Sequence, residues 1–259
     1  MIMLTNMRLY IGLLVTLVLV ATRSFAAPLH LAVAANFAQP AKALCNELFA
    51  AAGEPCLVTV ASSGTLYAQI VHGAPFDVFL SADTLRPAEL DRRGLVASDG
   101  VKNYAIGRLA YVNRAAQNPS LELLATSVHS KLAMANPDLA PYGLAARQTL
   151  QSLSVFDPYR KQLVLGTNVL QAFQFYHSAN VEQALTAWSL VHEYPSHVIQ
   201  IPADLHEPIV QQLALLARAS KNKQAKAFVE YLISGAVQAR LPQWGYDPVS
   251  SVTGGPDGQ

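Results

Sequence analysis

At 259 residues the chain is long enough for one or two domains, and its net charge of +1 rests on 18 basic and 17 acidic side chains. That balance argues against a nucleic-acid partner, which calls for a basic face. With two cysteines and no histidine at ligand spacing, a structural zinc site is also disfavoured.

The chain opens with a targeting segment. Arg8 precedes an apolar run over residues 9–20, and Ser24-Phe25-Ala26 fits a small-x-small cleavage site before Ala27. The run is shorter than the roughly 20 apolar residues of a membrane span. Residues 1–26 are therefore read as a signal peptide, and the mature protein as soluble and exported. No cysteine follows the apolar run at the cleavage point, which argues against a lipid anchor. Cleavage would remove Arg8 and Arg23 and no acid, leaving 16 basic and 17 acidic residues.

Strands and helices alternate from there on, the pattern of an α/β fold. Residues 29–35 read as an apolar strand and 37–51 as a helix stopped before Gly53. Residues 57–60 are a strand, 65–71 a short helix, and 77–80 a strand. Ser81 or Asp83 can cap a helix over 85–93 that Gly94 closes. A hairpin-like region follows, with 104–106 and 108–112 around Gly107. Residues 131–135 are a strand, 144–153 a helix, 163–165 a strand and 170–177 a helix. Short strands are expected over 184–189 and 197–201. Residues 209–216 are apolar but contain Gln211-Gln212, which leaves their state open. Residues 221–233 form an amphipathic helix capped by Ser220 and ended by Gly235. The Gly-rich tail over 253–259 is expected to be disordered.

Two extended stretches, 105–112 and 208–216, sit where one α/β unit ends and another resumes. Two such crossings give a discontinuous first lobe, residues 27–107 and 208–252, and a continuous second lobe, residues 108–207. They can act as a hinge. In the oxidising compartment that export implies, Cys45 and Cys56 can bridge a helix to the next strand, or remain two buried thiols.

Four strand-to-helix junctions place small or neutral donors where helices begin: Ala34-Ala35-Asn36-Phe37, Ala61-Ser62-Ser63-Gly64-Thr65, Ala140-Pro141-Tyr142-Gly143 and Gly166-Thr167-Asn168-Val169. A helix start exposes unpaired N–H groups and the positive end of a dipole. Several starts aimed at one point bind an anion without a charged side chain. Asn36 offers an amide, Ser62, Ser63 and Thr65 offer hydroxyls, and Gly64 allows close backbone approach. Tyr142 offers a phenol, and Val169 its backbone N–H. Each position taken singly also reads as an ordinary helix cap. No Lys or Arg stands at any tip, which points to reversible binding of an oxyanion rather than chemistry on it.

These segments resemble the molybdate-binding periplasmic proteins of ATP-driven transporters, within the type II periplasmic binding-protein fold. Leu31-Ala32-Val33-Ala34-Ala35-Asn36-Phe37 is similar to the first ligand loop, in the branch that has Asn at the position of Asn36. Val60-Ala61-Ser62-Ser63-Gly64-Thr65-Leu66 is similar to the second, whose hydroxyl ligand carries over to Ser63. Gly73-Ala74-Pro75-Phe76-Asp77-Val78-Phe79-Leu80-Ser81-Ala82-Asp83 is the most specific match. Ala135-Asn136-Pro137 with Ala140-Pro141-Tyr142-Gly143 is similar to the third loop, where a Tyr at the position of Tyr142 binds the oxyanion. Gly166-Thr167-Asn168-Val169 is similar to the loop that gives a backbone amide.

The resemblance implies a two-lobe fold with a ligand cleft between the lobes, and an oxyanion site of Ala35, Asn36, Ser62, Ser63, Tyr142 and Val169. It implies a monomeric periplasmic protein without a cofactor that captures molybdate or tungstate for an ABC permease. The chain departs from many relatives at Trp188, where they have a Tyr ligand.

Other readings carry less. Asp77 and Asp83 could pair on a metal, but a cap and a turn contact suit them better. His192, Glu193 and His197 read as a solvated loop, and Lys221, Lys223 and Lys226 as a solvated helix face. Ser62 or Ser63 as the nucleophile of an exported hydrolase lacks both a G-x-S-x-G motif and a paired base. A binding protein for sulfate, phosphate or a small organic acid could use similar loops.

Overall fold

The computed structural model describes residues 28–249 apart from 54 and 195. The expected signal peptide and the 253–259 tail lie outside the described residues.

The chain builds two five-stranded mixed sheets. In the first, the order is β2–β1–β3–β10–β4: β1 (Leu29–Ala34), β2 (Cys56–Ala61), β3 (Val78–Ser81), β4 (Val96–Gly107) and β10 (Ile209–Leu216). β1 runs parallel to β2 and β3, while β10 is antiparallel to β3 and β4. The second has the order β7–β6–β8–β5–β9: β5 (Leu109–Asn113), β6 (Leu132–Ala135), β7 (Leu163–Gly166), β8 (Gln183–Ala187) and β9 (Val198–Gln200). β6 is parallel to β7 and β8, and β5 is antiparallel to β8 and β9. The central strands are apolar and buried almost without alternation, as strands covered on both faces must be.

Helices pack on these sheets. They are α1 (Ala38–Phe49), α2 (Ser63–Val71), α3 (Leu85–Arg92), α4 (Leu121–Thr126), α5 (Pro141–Ser152), α6 (Phe156–Tyr159), α7 (Val169–His177), α8 (Lys223–Leu232) and α9 (Gly235–Gln238). Phe37, Leu44, Tyr104, Phe228 and Tyr246 centre the core under α1 and α8, and Leu109, Tyr111, Met134, Tyr142 and Tyr159 a core of the second sheet. Cys45 in α1 is bonded to Cys56 at the start of β2, with Cα atoms 6.0 Å apart, so the helix is clipped to the edge strand. Two residues further along α1, Glu47 meets Arg240 and the Tyr231 hydroxyl.

Three expectations differ from the structure. The region around Gly107 is no hairpin: β4 pairs with β10 and β5 with β8, so the chain passes straight from one sheet to the other. Apolar segments on both sides of a glycine are common to both arrangements. The last long helix is capped by Asn222, whose Oδ1 accepts from the Gln224 and Ala225 N–H groups, because it begins at Lys223, two residues later than expected. Gly235 opens α9 rather than ending α8. The open question at 209–216 is settled as a strand, because its register with β3 and β4 completes the first sheet.

Candidate functional site

All six candidate oxyanion residues fall between the cap and second position of a helix. Ala35 and Asn36 open the 3-10 turn Ala35–Phe37 that leads into α1. Ser62 caps α2 and Ser63 is its first residue. Tyr142 follows Pro141 at the start of α5, and Val169 is the first residue of α7. Three of these helices follow directly on strands β1, β2 and β7, and α5 follows β6 after a short loop, so their N–H groups point outward from carboxyl ends of strands. Every one of the six is at most 3% exposed.

The structure brings the two sheets' contributions together. Ala34, Ala35 and Ala82 from the first sheet share one buried cluster with Ala140, Tyr142 and Val169 from the second. The backbone of α2 docks directly on the loop before α5, with Gly64 N–H donating to Leu139 C=O at 2.9 Å. A Cβ at Gly64 would sit 2.8 Å from that oxygen, so only glycine permits the approach. Ser189, beyond β8, donates to the Asn36 carbonyl at 3.3 Å.

The six residues are not equivalent. The Ser62 Oγ accepts from Thr65 N–H at 3.2 Å as a cap and shares a further hydrogen bond with the Thr65 hydroxyl at 2.8 Å, in which either can donate. The Ser63 Oγ accepts from Ala82 N–H at 2.9 Å, which leaves its own hydrogen to donate elsewhere. Asn36 behaves differently from the sequence expectation. Its Nδ2 donates to Gln211 Oε1 at 2.7 Å and to the Tyr246 hydroxyl at 3.2 Å. Both amide hydrogens are therefore used inside the protein. The Tyr246 hydroxyl donates back to the Asn36 carbonyl at 2.6 Å, closing the loop.

Tyr142 lies over Gly107, where an added Cβ would collide with its hydroxyl. Among the described residues the only hydrogen bond of that hydroxyl is one it accepts, from Gln211 Nε2 at 3.4 Å. Burial holds Tyr142, Tyr104 and Tyr246 well above the usual phenol range, so all three remain neutral donors. Arg86 lies beside Gly64 but is paired with Asp83.

Sequence reasoning missed Gln211, Tyr104 and Tyr246. Gln211 left a trace, as a polar residue in an otherwise apolar strand; the two tyrosines left none. The Trp188 ring lies against Gly245 and His192. A pocket of about 210 Å³ opens beside Asn36, lined in part by Gln39, Phe173, His192 and Trp244.

Asp77 accepts from His30 N–H and pairs with Arg218, and Asp83 accepts from Ser81 and from Arg86 N–H at the start of α3. Among the described residues no cluster of His, Cys, Asp or Glu could hold a metal ion. His192 bonds the Gln243 carbonyl and His197 the Ala116 carbonyl. Among the described residues neither Ser62 nor Ser63 meets a histidine.

Two α/β sheets whose strand ends present neutral helix starts to one another define a solute-binding protein of the two-lobe periplasmic class. Over residues 29–247 the sequence matches the family described as bacterial extracellular solute-binding protein, and the chain belongs to that family. It is 32% identical over 234 residues to the molybdate-binding protein ModA of Azotobacter vinelandii, covering 88% of this chain and 93% of that one. It is 32% identical over 218 residues to ModA of Rhodobacter capsulatus, covering 83% and 86%. The solved structure of the Azotobacter vinelandii periplasmic molybdate-binding protein matches with a TM-score of 0.77 at 30% identity, covering 84% of this chain and 98% of that chain. The sulfate-binding protein SubI of Mycobacterium tuberculosis shares the fold at 12% identity and a TM-score of 0.66, covering 88% of each chain. These are solute-binding transport proteins, and the chain is a binding protein rather than an enzyme.

Proposed function

We propose that the protein captures molybdate or tungstate between its two lobes in the periplasm and delivers it to an ABC permease. The observation that carries this reading is that the Ala35 turn and the starts of α5 and α7 share one buried cluster, with the start of α2 docked on the loop before α5, and that their donors are neutral. A tetrahedral dianion is matched by several N–H and O–H groups at positive dipole ends. The donors on this reading are the N–H groups of Ala35, Asn36, Ser63 and Val169 and the hydroxyls of Ser63 and Tyr142. Ser62 supports them as a cap. Residues 27–107 and 208–252 form one lobe and residues 108–207 the other, closing about the crossings at Gly107 and Ile209. Residues 1–26 direct export, and the mature protein acts as a monomer. The molybdate-binding relatives support the choice of ligand.

Calorimetric titration of the mature protein with molybdate, tungstate, sulfate and phosphate tests this. Molybdate and tungstate should bind at least ~100-fold tighter than the smaller sulfate, a difference of roughly 2.7 kcal/mol. Sulfate binding of comparable strength would overturn the assignment.

A further inference from the structure

We infer that Gln211 is a positioning residue of the oxyanion site, fixing from the crossing strand β10 which hydrogen of each lobe's donors is left for the ligand. The inference rests on the oxyanion reading above and assigns a role to a side chain outside the six ligand positions.

Gln211 is completely buried. Its amide is used at both ends. Oε1 receives Asn36 Nδ2 at 2.7 Å and the Tyr104 hydroxyl at 2.9 Å, while Nε2 donates to the Tyr142 oxygen at 3.4 Å. Two donors at one end fix the amide with its NH₂ toward Tyr142. A phenol oxygen that accepts there must send its own hydrogen another way. Tyr142 is thereby made a donor toward the space between the helix starts. By the same contact the Asn36 amide is held against the protein. One side chain thus sets donor polarity for a residue of the first lobe and one of the second.

The backbone supports this placement independently. In the β10–β4 register Gln211 pairs with Ala105 and Gln212 with Asn103, so Tyr104 is an extra residue on β4. Such a bulge re-aims a side chain, and here the Tyr104 hydroxyl reaches Gln211 and the Ser81 carbonyl. Gln212, one residue on, faces the other way and bonds Asn103 at the surface. Gly107, at the end of β4, leaves room for the Gln211 and Tyr142 contact: an added Cβ would stand 2.9 Å from Gln211 Nε2.

The test is a double-mutant cycle read by calorimetric titration with molybdate, with thermal unfolding of each ligand-free variant alongside. Gln211→Met and Tyr142→Phe should each weaken binding by at least ~10-fold, through a lost hydrogen bond to a charged ligand. If Gln211 acts through Tyr142, the double variant should be no more than ~3-fold weaker than the weaker single variant. Losses that multiply, or a Gln211→Met protein that binds like the parent, would overturn the inference.

Should Gln211→Met not fold, Gln211→Glu decides. An ionised carboxylate cannot donate to Tyr142, and a protonated one can. The groups facing it are the neutral phenols of Tyr104 and Tyr142 and the Asn36 amide, with Asp83 acting on Tyr104 from further away. Affinity should recover at least ~10-fold on lowering the pH from about 8 to about 5.5, while the parent changes less than ~3-fold. Weak binding that stays flat with pH would contradict the inference. A parent that does not bind molybdate is a separate outcome, which removes the oxyanion reading itself and this inference with it.

Discussion

Two buried networks in this protein use the same side chains to opposite ends. In the second lobe, Gln183 Oε1 accepts from the Tyr111 hydroxyl at 2.6 Å, and its Nε2 reaches the Tyr159 hydroxyl and the carbonyls of Ser127 and Ser130. Asn113 donates to the Tyr111 oxygen, and Tyr159 donates to the Leu124 carbonyl. Every hydroxyl hydrogen there has an acceptor, and all the partners lie between residues 111 and 183. Around Gln211, the same Gln–Tyr–Asn chemistry joins residues 36, 104, 142 and 246 across both sheets, and the Tyr142 hydrogen is left over. A buried polar network that is complete holds loops together. One that joins both sheets and leaves a donor over is what the proposed oxyanion site requires.

The sharpest way to break this comparison is Gln183→Met. It strips partners from two buried phenols and two carbonyls, and unsatisfied buried groups cost about 1–3 kcal/mol each. Chemical denaturation should show a loss of about 3 kcal/mol, with molybdate affinity within ~3-fold of the parent. Loss of binding at intact fold would mean that the second network also serves the site.

The disulfide provides a second scaffold control. Replacing Cys45 and Cys56 by Ala opens a short loop, 11 residues apart in sequence. Stability should fall by about 2.5 kcal/mol by chain entropy. Affinity should hold, because neither residue stands at a helix start.

Gly107→Ala works in the opposite sense. The new Cβ collides with the Tyr142 hydroxyl and crowds Gln211 Nε2. Affinity should fall at least ~30-fold, roughly 2 kcal/mol, and a parent-like affinity would mean that Tyr142 is not a ligand.

The smallest effect belongs to Glu47. Hydrogen bonds from Arg240 and Tyr231 hold its carboxyl down at about 2, against 4.5 when free. A depressed carboxyl stabilises the fold above its unfolded value and loses that contribution as pH falls through the folded one. Glu47→Gln should therefore cost at most about 0.5 kcal/mol near neutrality, as exposed pairs do. The difference from the parent should shrink between about pH 4.5 and pH 2.

The two networks also mark what could be read in advance. The helix starts were legible because Asn36, Ser62, Ser63 and Asn168 are of the types favoured at helix starts and stand right after apolar strand runs, a local pattern, although only Ser62 and Asn168 act as caps. The clipping of α1 to β2 was legible as one of two options, from the positions of Cys45 and Cys56. The direction of the Asn36 side chain was not, because it depends on Gln211 and Tyr246, 175 and 210 residues away in sequence. The hairpin expectation failed for a related reason. Gly107 suggests a turn locally, whereas it is required by a phenol arriving from another lobe. Local chemistry announces elements and their ends, and long-range side-chain partners decide what those ends offer.

The most direct test of the account is where the metal of a bound oxyanion sits. Crystals of the mature protein with molybdate, measured at an X-ray energy where molybdenum scatters anomalously, locate that atom without reference to the protein. One peak is expected between the starts of α2, α5 and α7 and the turn at Ala35. Molybdate oxygens should lie within about 3.2 Å of the Ser63 and Tyr142 hydroxyls and of the Ala35, Asn36, Ser63 and Val169 N–H groups. A peak confined to the pocket beside Gln39, His192 and Trp244, with the helix starts untouched, would contradict it.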